Sequence, residues 1–326
     1  MNDFWAELRD AVTTRAFLLV LGVLLLQWAF IASYLGAFHN PAPHDIRVAV
    51  VGPAQLADRL NQVPGHPVDA RVVATEADAR AQLERREVYG VFLPGKLLVA
   101  GAAGSAVAQA LTAIAQQSGP VAVADVIPAA AGDARGLSGF YLVVGWVVGG
   151  YLVAAILGLS GGARPATRHR AVIRLGALAA YSLVSGLGGA LIAETVLSAL
   201  SGHFVALWAL GALLVFAVGA FTMAMQVSLG LLGVGVAIIL FVILGNPSAG
   251  GAYPSPLLPA FWRTIGPWLP PGAGTTAVRD IVYFPRASLT QPVLVLAAYA
   301  LIGIAVTVLA AGHTPASTAA VQETAA

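Results

Sequence analysis

The chain has 326 residues, of which 58% are hydrophobic and 10% are charged, whereas about 25% of the residues in typical soluble domains are charged. Its formal net charge is +2 and it contains no cysteine, which excludes disulfide bonds, thiolate catalysis and cysteine metal sites. The sequence shows no basic stripe with interleaved aromatic residues, so we expect no nucleic-acid partner. This composition predicts an integral membrane protein whose surroundings are the lipid bilayer.

The N-terminal region predicts a helix at the membrane surface followed by a membrane span. Residues 1–15 place Phe4 and Trp5 near one helical face, which suits a cytoplasmic interfacial helix. A cytosolic extension of the span is the alternative. The apolar run at 16–37 is too long for the core of a signal peptide, and no A-x-A-like cleavage site follows closely. We therefore interpret it as an uncleaved first span.

Residues 38–136 are rich in charged residues, and short apolar runs there alternate with turn residues. Thr75, followed by Glu76 and Asp78, predicts the start of a helix with acidic residues in its first turn. The predicted strands lie within 46–52, 68–75, 88–95, 96–101 and 121–130, and the predicted helices begin near residues 53, 75 and 105. Strands that alternate with helices in this way predict one small α/β domain.

The remainder, residues 137–311, predicts a membrane domain of five further spans. No Asp, Glu, Lys, Arg or His occurs between His203 and Arg263. Because one span needs about 20 residues, residues 204–245 fit two spans joined by a tight turn. The predicted spans of this domain are 137–159, 172–200, 204–226, 229–245 and 291–311. The fold class is thus a polytopic α-helical membrane protein of six spans, and residues 312–326 form a cytoplasmic tail.

The connector at 160–174 orients these spans. It carries Arg164, Arg168 and Arg170 and no acidic residue, and basic residues concentrate in short cytoplasmic loops. Counting spans in both directions from this connector places residues 38–136 outside the cell and both termini in the cytoplasm. We therefore expect an extracytoplasmic α/β domain between the first and second spans.

The segment 246–290 lies outside in this topology and combines proline and glycine with large apolar side chains. Irregular backbone at membrane depth needs protein or water to satisfy its polar groups. We predict a broken helical hairpin before the sixth span, with one short helix within 257–266 and another at 275–283. Thr275 is the predicted N-cap of the second helix, and the prolines at 267, 270 and 271 are predicted to separate the two helices.

This hairpin is predicted to be an outer gate or lid over the helical bundle. Its candidate residues are Phe261, Trp262, Arg263, Trp268 and Arg279. The two tryptophans and Tyr283 suit the level of the lipid headgroups, while the two arginines would face water or lipid phosphate. A membrane anchor without a gating role is the alternative.

Two polar residues within the predicted spans are candidate functional groups. Glu194 is an intramembrane carboxylate, which is costly and hence a functional candidate. Its alternative role is an ion pair or hydrogen bond with the outer segment, through Arg263 or Arg279. Gln226 lies near the inner turn between two spans, where a capping or water contact would satisfy it.

Catalytic motifs are not found in the sequence. It has no phosphate-binding G-x-x-x-x-G-K-[ST] loop, no H-E-x-x-H and no G-x-S-x-G. We therefore expect no catalytic, cofactor-binding or metal-ligating residue and no enzyme. An intramembrane enzyme would depend on Glu194 alone.

Two stretches carry a resemblance to a known family. They are DARGLSGFYLVVGWVVGGYLVA at 133–154 and LGNPSAGGAYPSPLLPAFWRTIGPWLPPGAGTTAVRDIVYF at 244–284. Together with the order of one span, one extracytoplasmic domain and five spans, they resemble the ABC-2-type transporter permeases. Within that family the chain is most similar to the phage infection protein (YhgE/Pip) branch of actinobacterial membrane proteins, and the resemblance covers nearly the whole chain.

This resemblance implies a permease of the bacterial inner membrane that forms a homodimer. Such permeases export or flip a lipid-like or amphipathic substrate and are driven by a separate ATPase. Their N-terminal interfacial helix and the loop after the second span contact the ATPase, which here implies residues 1–15 together with Arg164, Arg168 and Arg170. The alternative function is a non-transporting receptor or assembly factor that acts through its extracytoplasmic domain.

Overall fold

The computed structural model describes residues 13–117, 119–163 and 165–311. Within them the chain is mostly helical, with one small five-stranded sheet. Residues 1–12 of the predicted interfacial helix, the predicted cytoplasmic tail and Arg164 lie outside the described residues.

The described chain contains eleven α-helices of at least six residues. In chain order they are α1 (Thr14–Phe38), α2 (Ala54–Asn61), α3 (Glu76–Glu84), α4 (Ser105–Gln117), α5 (Ser138–Gly161), α6 (Arg168–Leu191), α7 (Phe204–Leu229), α8 (Leu232–Ser248), α9 (Ala260–Ile265), α10 (Pro270–Tyr283) and α11 (Thr290–Leu309). Among the described residues, α1, α5, α6, α7 and α11 are long and apolar enough to cross a membrane. These five helices are compatible with a multi-pass membrane protein.

The span predicted at 229–245 corresponds to α8, which is shorter than the other five. Its 17 residues would cover about 25 Å, less than the roughly 30 Å of a hydrocarbon core. Residues Ile239–Leu244 of this helix are π-helical. Gly230, with a φ of 63°, ends α7 and makes the tight turn that precedes α8. A total of six spans stays a prediction.

Helix α7 forms the centre of the bundle, and α5, α6 and α11 pack around it. Half of its most apolar window is buried, against 6% for α1, which lies at the periphery. Glycine permits the closest contact: a Cβ atom on Gly211 would lie 2.5 Å from the ring of Trp146. Trp146 is itself 3% exposed, so this large ring fills the space that the glycine leaves.

The five strands are β1 (Ile46–Val50), β2 (Val68–Val72), β3 (Gly90–Leu93), β4 (Lys96–Val99) and β5 (Ala122–Asp125). They are ordered β2-β1-β3-β4-β5, and all neighbours are parallel except the β3–β4 hairpin. Helices α2 and α4 cover one face of the sheet and α3 covers the other. The strands fall within the predicted ranges, and Thr75 caps α3 as predicted, because its hydroxyl accepts a hydrogen bond from the Asp78 N–H at 3.1 Å.

Side chains from the hairpin region complete both layers of the sheet region. Leu257 packs into the layer under α2 and α4, and Phe284 packs into the layer under α3. Both side chains are buried. The sheet region therefore rests on the segment between α8 and α11 and shares its core with it.

The predicted start of the second hairpin helix is wrong. Helix α10 begins at Pro270, with Leu269 as its N-cap and Pro270 and Pro271 in its first turn. Thr275 lies inside this helix, where its hydroxyl donates a hydrogen bond to the Pro271 carbonyl at 2.8 Å. Proline suits the first helical position because its φ is preset and its missing N–H has no partner there. These two prolines start the helix and do not separate two helices.

The bundle has two ends. Ser138 at the start of α5 and Gln291 at the start of α11 lie at the end that carries the sheet region, which we call the sheet end. Helix α5 runs from there to Gly161, where residues 162–167 connect it to α6. We call this opposite end the connector end.

Candidate functional site

A polar cavity of about 210 Å³ lies at the sheet end, between the sheet region, the hairpin and the start of α11. Its lining includes the side chains of Arg86, Tyr89, Ser255, Thr276, Arg279 and Gln291. Two of these side chains are cationic and none of the described lining residues is acidic. The volume is far more than the roughly 10–15 Å³ that one water requires.

Arg86 enters the cavity from the end of α3. Its φ of 56° is left-handed, and the backbone bonds Arg86 N–H to Leu83 O and Glu87 N–H to Gln82 O complete a Schellman motif. Glycine is usual at this position, because other residues pay roughly 1 kcal/mol for this conformation. Because the backbone conformation disfavours arginine here, the reason for this residue must lie in the contacts of its side chain.

The Arg86 side chain faces Asp280 of α10. Its Nε lies 3.0 Å from Asp280 Oδ1, without the alignment of a hydrogen bond. The two side chains are 18% and 3% exposed. Burial raises the pKa of Asp280 to about 6, against the opposing charges of Arg86 and Arg279. This carboxyl group is therefore still mostly ionised at pH 7, where its single negative charge faces two arginines.

Arg279, also on α10, is the second cation of the cavity. One Nη2–H group donates to the Gly250 carbonyl at 3.1 Å. Burial, reinforced by the charge of Arg86, lowers the pKa of Arg279 to about 10. The guanidinium also borders a second cavity of about 60 Å³, which Ser105 and Arg135 help to line. The charges of Asp280 and Asp133 oppose the lowering of this pKa, and Arg279 lies between the two cavities.

A buried carboxylate fixes α10 to the start of α5. Asp133 Oδ1 accepts a hydrogen bond from the Ser138 N–H at 2.8 Å, and Oδ2 accepts one from the Tyr283 hydroxyl at 2.9 Å. A carboxylate at a helix N-terminus also interacts favourably with the helix dipole. Burial raises the pKa of Tyr283 to about 12, so its hydroxyl stays protonated and remains a donor.

A second ion pair holds the sheet region against the hairpin. Arg286 Nη1, just after α10, lies 2.5 Å from Glu84 Oε2 on α3. Both side chains are well exposed, and exposed pairs typically contribute less than about 1 kcal/mol. The buried packing of Phe284 into the sheet region contributes more than this ion pair to the stability of the contact between the two regions. These contacts hold α3, whose end carries Arg86, against the chain that follows α10.

An apolar groove of about 520 Å³ lies next to the polar cavity. It follows the first turns of α11 and is lined by Trp268, Leu294, Val295, Ala298 and Tyr299, among others. Gln291 borders both spaces, and its Nε2 donates a hydrogen bond to the Pro267 carbonyl at 2.6 Å. The Trp268 ring at the rim is 64% exposed. A charged space and an apolar surface thus meet at one glutamine.

The five candidate gate residues do not form one cluster. Trp262 Nε1 donates to the Ser33 hydroxyl of α1 at 3.3 Å, and Arg263 Nη1 bonds to the His44 carbonyl at 3.1 Å. Both residues therefore hold the hairpin to the first helix and to the chain that leaves it. Phe261 and Trp268 are exposed. Arg279 lines the polar cavity and Tyr283 bonds to Asp133, so neither is at an open headgroup surface.

Glu194 has a local hydrogen-bond partner, and Gln226 borders a small cavity. Glu194 lies in the π-helical turn Ile192–Val196, and its Oε1 accepts a hydrogen bond from the His203 N–H at 2.5 Å. The predicted bond to Arg263 or Arg279 is wrong, because Glu194 instead caps the start of α7. Gln226 is 4% exposed and borders a cavity of about 10 Å³ at the connector end, room for about one water.

Arg168 and Arg170 lie in the first turn of α6, at the connector end, and both are exposed. Thr167 caps this helix, because its hydroxyl accepts a hydrogen bond from the Arg170 N–H at 3.2 Å. The connector itself, residues 162–167, has no helix among its described residues. Neither arginine is near the polar cavity, which lies at the sheet end.

Several residues of the site were missed in the sequence, among them Arg86, Tyr89, Asp133, Asp280 and Gln291. Arg86 belongs to the charged run ERRE at 84–87, which is typical of a solvated helix end. One signal was available: no glycine occurs between the start of α3 and Gly90. Some other residue therefore had to take the left-handed position that commonly ends a helix. Within the described ranges, no group of His, Cys, Asp or Glu side chains is placed to hold a metal ion.

Comparison with known proteins gives one finding. The profile of the DUF3533 family, described as proteins of unknown function, matches residues 71–305. These residues extend from β2 into α11 and include both cavities of the sheet end. No curated protein and no solved structure matches the chain significantly. Because the match covers well over half of the sequence, the chain belongs to the DUF3533 family.

Proposed function

We propose that the chain is the permease subunit of an ABC-2-type transporter that exports or flips a lipid-like or amphipathic substrate with a separate ATPase. The observation that carries this proposal is the pairing of spaces at the sheet end. A cavity with two arginines adjoins an apolar groove on a membrane-length helix. An amphipathic molecule needs both environments at once, and a site for a fully polar solute has no use for the groove.

The proposed topology has six crossings, with both termini in the cytoplasm and the sheet region outside. Helix α8 supports the sixth crossing, because it connects the two ends of the bundle despite its length. A Cβ atom on Gly233 would lie 2.2 Å from the backbone of Met225 near the connector end, while Ser248 lines the cavity of the sheet end. The basic connector supports the orientation, since short loops rich in arginine are cytoplasmic.

The ATPase is proposed to bind at the connector end. Arg168 and Arg170 are exposed there, and two such cations suit an acidic surface on a partner. A homodimer of this chain is part of the proposal. Helix α1 supports it, since most of its large apolar side chains are exposed along its length, where lipid or a second copy covers them.

Co-purification tests the proposal. The full chain is expressed together with a candidate ABC-type ATPase from the same organism, and is expected to retain that ATPase through affinity purification. Charge reversal of Arg164, Arg168 and Arg170 to glutamate is expected to remove it. The matched control reverses Arg71 and Arg80, two exposed arginines of the sheet region, and is expected to keep the ATPase.

Two results would contradict the proposal. One is a purified homodimer that binds no ATPase with or without nucleotide. The other is a connector reversal that leaves the ATPase bound. Either result favours the alternative of a non-transporting receptor or assembly factor. That alternative makes a separate prediction about the phenotype of a strain that lacks the gene. Variants of exposed sheet-region residues would then fail to restore the wild-type phenotype, while connector variants would restore it.

A further inference from the structure

We propose that the polar cavity and the apolar groove together form one binding site for an anionic phospholipid, with the phosphate between Arg86 and Arg279 and one acyl chain along α11. This inference names the substrate class of the proposed permease and rests on that proposed function for its role in transport. The binding itself needs no ATPase.

The charge of the cavity selects an anion. Arg86 and Arg279 both line it, and no acidic side chain does so among the described residues. Asp280 pairs with Arg86 at 3.0 Å from outside the lining. Arginine guanidinium groups bind phosphate through paired N–H donors. Tyr89, Ser255 and Thr276 line the same space, and hydroxyl side chains of this kind can donate hydrogen bonds to phosphate or glycerol oxygens.

The backbone at Arg86 supports a role for its side chain. The residue occupies the left-handed position of a Schellman motif, where glycine would be favoured. An ion pair with Asp280 is a weak reason to keep an arginine there, because buried ion pairs contribute little net stability. A bound anion explains the arginine better, because it would give the guanidinium a contact that the protein alone does not provide.

The apolar groove indicates that the ligand is a lipid, because a free phosphate has no acyl chain to occupy it. It extends along α11 from Thr290 to Tyr299, and nine residue steps of helix cover about 14 Å. That length is roughly one leaflet, half of a 30 Å hydrocarbon core. Gln291 borders the cavity and the groove alike, so a headgroup and its own acyl chain can occupy them together.

Lipid quenching of tryptophan tests the site, with the full chain in nanodiscs. The probes are phosphatidylglycerol and phosphatidylcholine that carry bromine on one acyl chain, because bromine quenches a nearby indole. The signal of Trp268 is the difference between the wild type and Trp268→Phe. We expect half-maximal quenching at a brominated phosphatidylglycerol fraction about tenfold lower than that for brominated phosphatidylcholine, the effect of one charge-assisted contact.

The key variant is Arg86→Gly, which removes the side chain while its backbone conformation becomes favourable. We expect it to fold and to lose the preference for phosphatidylglycerol. If the unpaired Asp280 prevents folding, the double variant Arg86→Gly with Asp280→Asn removes both charges and is expected to give the same loss. The matched control is Arg85→Ala, which removes a neighbouring exposed arginine that pairs with Glu87 and is expected to keep the preference.

Three results would overturn the site. Equal quenching by the two lipids in the wild type means that the cavity selects no anion. An unchanged preference in both variants means that Arg86 does not contact the headgroup. Full displacement of phosphatidylglycerol by millimolar inorganic phosphate means that the anion site binds phosphate without the groove. A retained preference in a chain that binds no ATPase would instead leave this site intact and refute the permease.

Discussion

The two ends of the helical bundle close in different ways around the same central helix. At the sheet end, two arginines line a cavity of about 210 Å³. At the connector end, Gln226 and Thr307 border a cavity of about 10 Å³, enough for about one water. Packing around α7 thus leaves room for about one water at the connector end and a much larger, charged space at the sheet end.

The glycines show how each end reaches its packing. At the sheet end, a Cβ atom on Gly272 would lie 2.0 Å from the Gly266 carbonyl oxygen, which is backbone and cannot move away. At the connector end, a Cβ atom on Gly158 would lie 2.5 Å from the amide at the tip of the Gln226 side chain. Gly272 therefore faces fixed backbone beside the cavity, whereas Gly158 faces a side chain that can adjust.

The largest expected effect comes from closing the cavity covalently. Ser255 and Thr276 both line it, and the chain has no cysteine of its own, so Ser255→Cys with Thr276→Cys can be joined by a short bifunctional maleimide. We expect the crosslink to abolish movement of a fluorescent phosphatidylglycerol between the leaflets of proteoliposomes. Each single cysteine variant with the same reagent is the control. Unchanged movement in the crosslinked protein would refute the gate and leave the hairpin as an anchor.

The second expected effect compares one glycine from each end. Gly272→Ala forces the chain against fixed backbone, and we expect it to destabilise the protein by about 1–3 kcal/mol or more. Gly158→Ala meets only a movable side chain, and we expect a cost below about 1 kcal/mol. The apparent melting temperatures of the two variants in one detergent measure the difference. An equal loss in both would show that the connector end is as rigid as the hairpin.

The third expected effect is a pH dependence that belongs to the sheet end. The pKa of Asp280 is raised from 3.8 to about 6 in the folded protein, so the folded state binds more protons than the unfolded state between these values. Its contribution to the free energy of unfolding is therefore full below about pH 4 and is lost as the pH rises through 6. The loss is at most about 3 kcal/mol.

The variant Asp280→Asn tests this dependence. Between pH 4.5 and 7.5, the melting temperature of the wild type is expected to fall relative to that of the variant. Asp58→Asn, which changes an exposed carboxylate on α2, serves as the control and is expected to follow the wild type. If the melting temperatures of the wild type and Asp280→Asn change equally with pH, the pKa of Asp280 is not raised by folding.

These residues also show how far the sequence predicts the structure. Strands and helices of the sheet region were predictable because their apolar runs end at turn residues and because Thr75 has acidic residues after it. The start of α10 was not, because Thr275 and Pro270 are both good start signals and only the packed hairpin decides between them. The long apolar helices followed from length and composition alone.

The polar cavity was much harder to predict than the fold. Arg86 and Arg279 are distant in sequence and meet only because the sheet region packs on the hairpin through Phe284. Arg279 was singled out as a candidate that faces water or lipid phosphate, but its place in a cavity beside Arg86 was not foreseen. Asp280 lies beside it in sequence and gives no local sign that it will be 3% exposed. A site assembled between two regions leaves little trace in either region alone.

The smallest expected effect comes from two buried threonines, one at each end. Thr275 Oγ1 donates to the Pro271 carbonyl at 2.8 Å, whereas Thr307 Oγ1 has no hydrogen-bond partner among the described residues. We expect Thr275→Val to cost about 1 kcal/mol. Thr307→Val keeps the shape and removes an unsatisfied hydroxyl, so we expect a neutral or slightly stabilising change in melting temperature. A clear loss in Thr307→Val would show that a water in the small cavity bonds to this hydroxyl. The connector end would then hold water as well, and the contrast between the two ends would be one of size and charge.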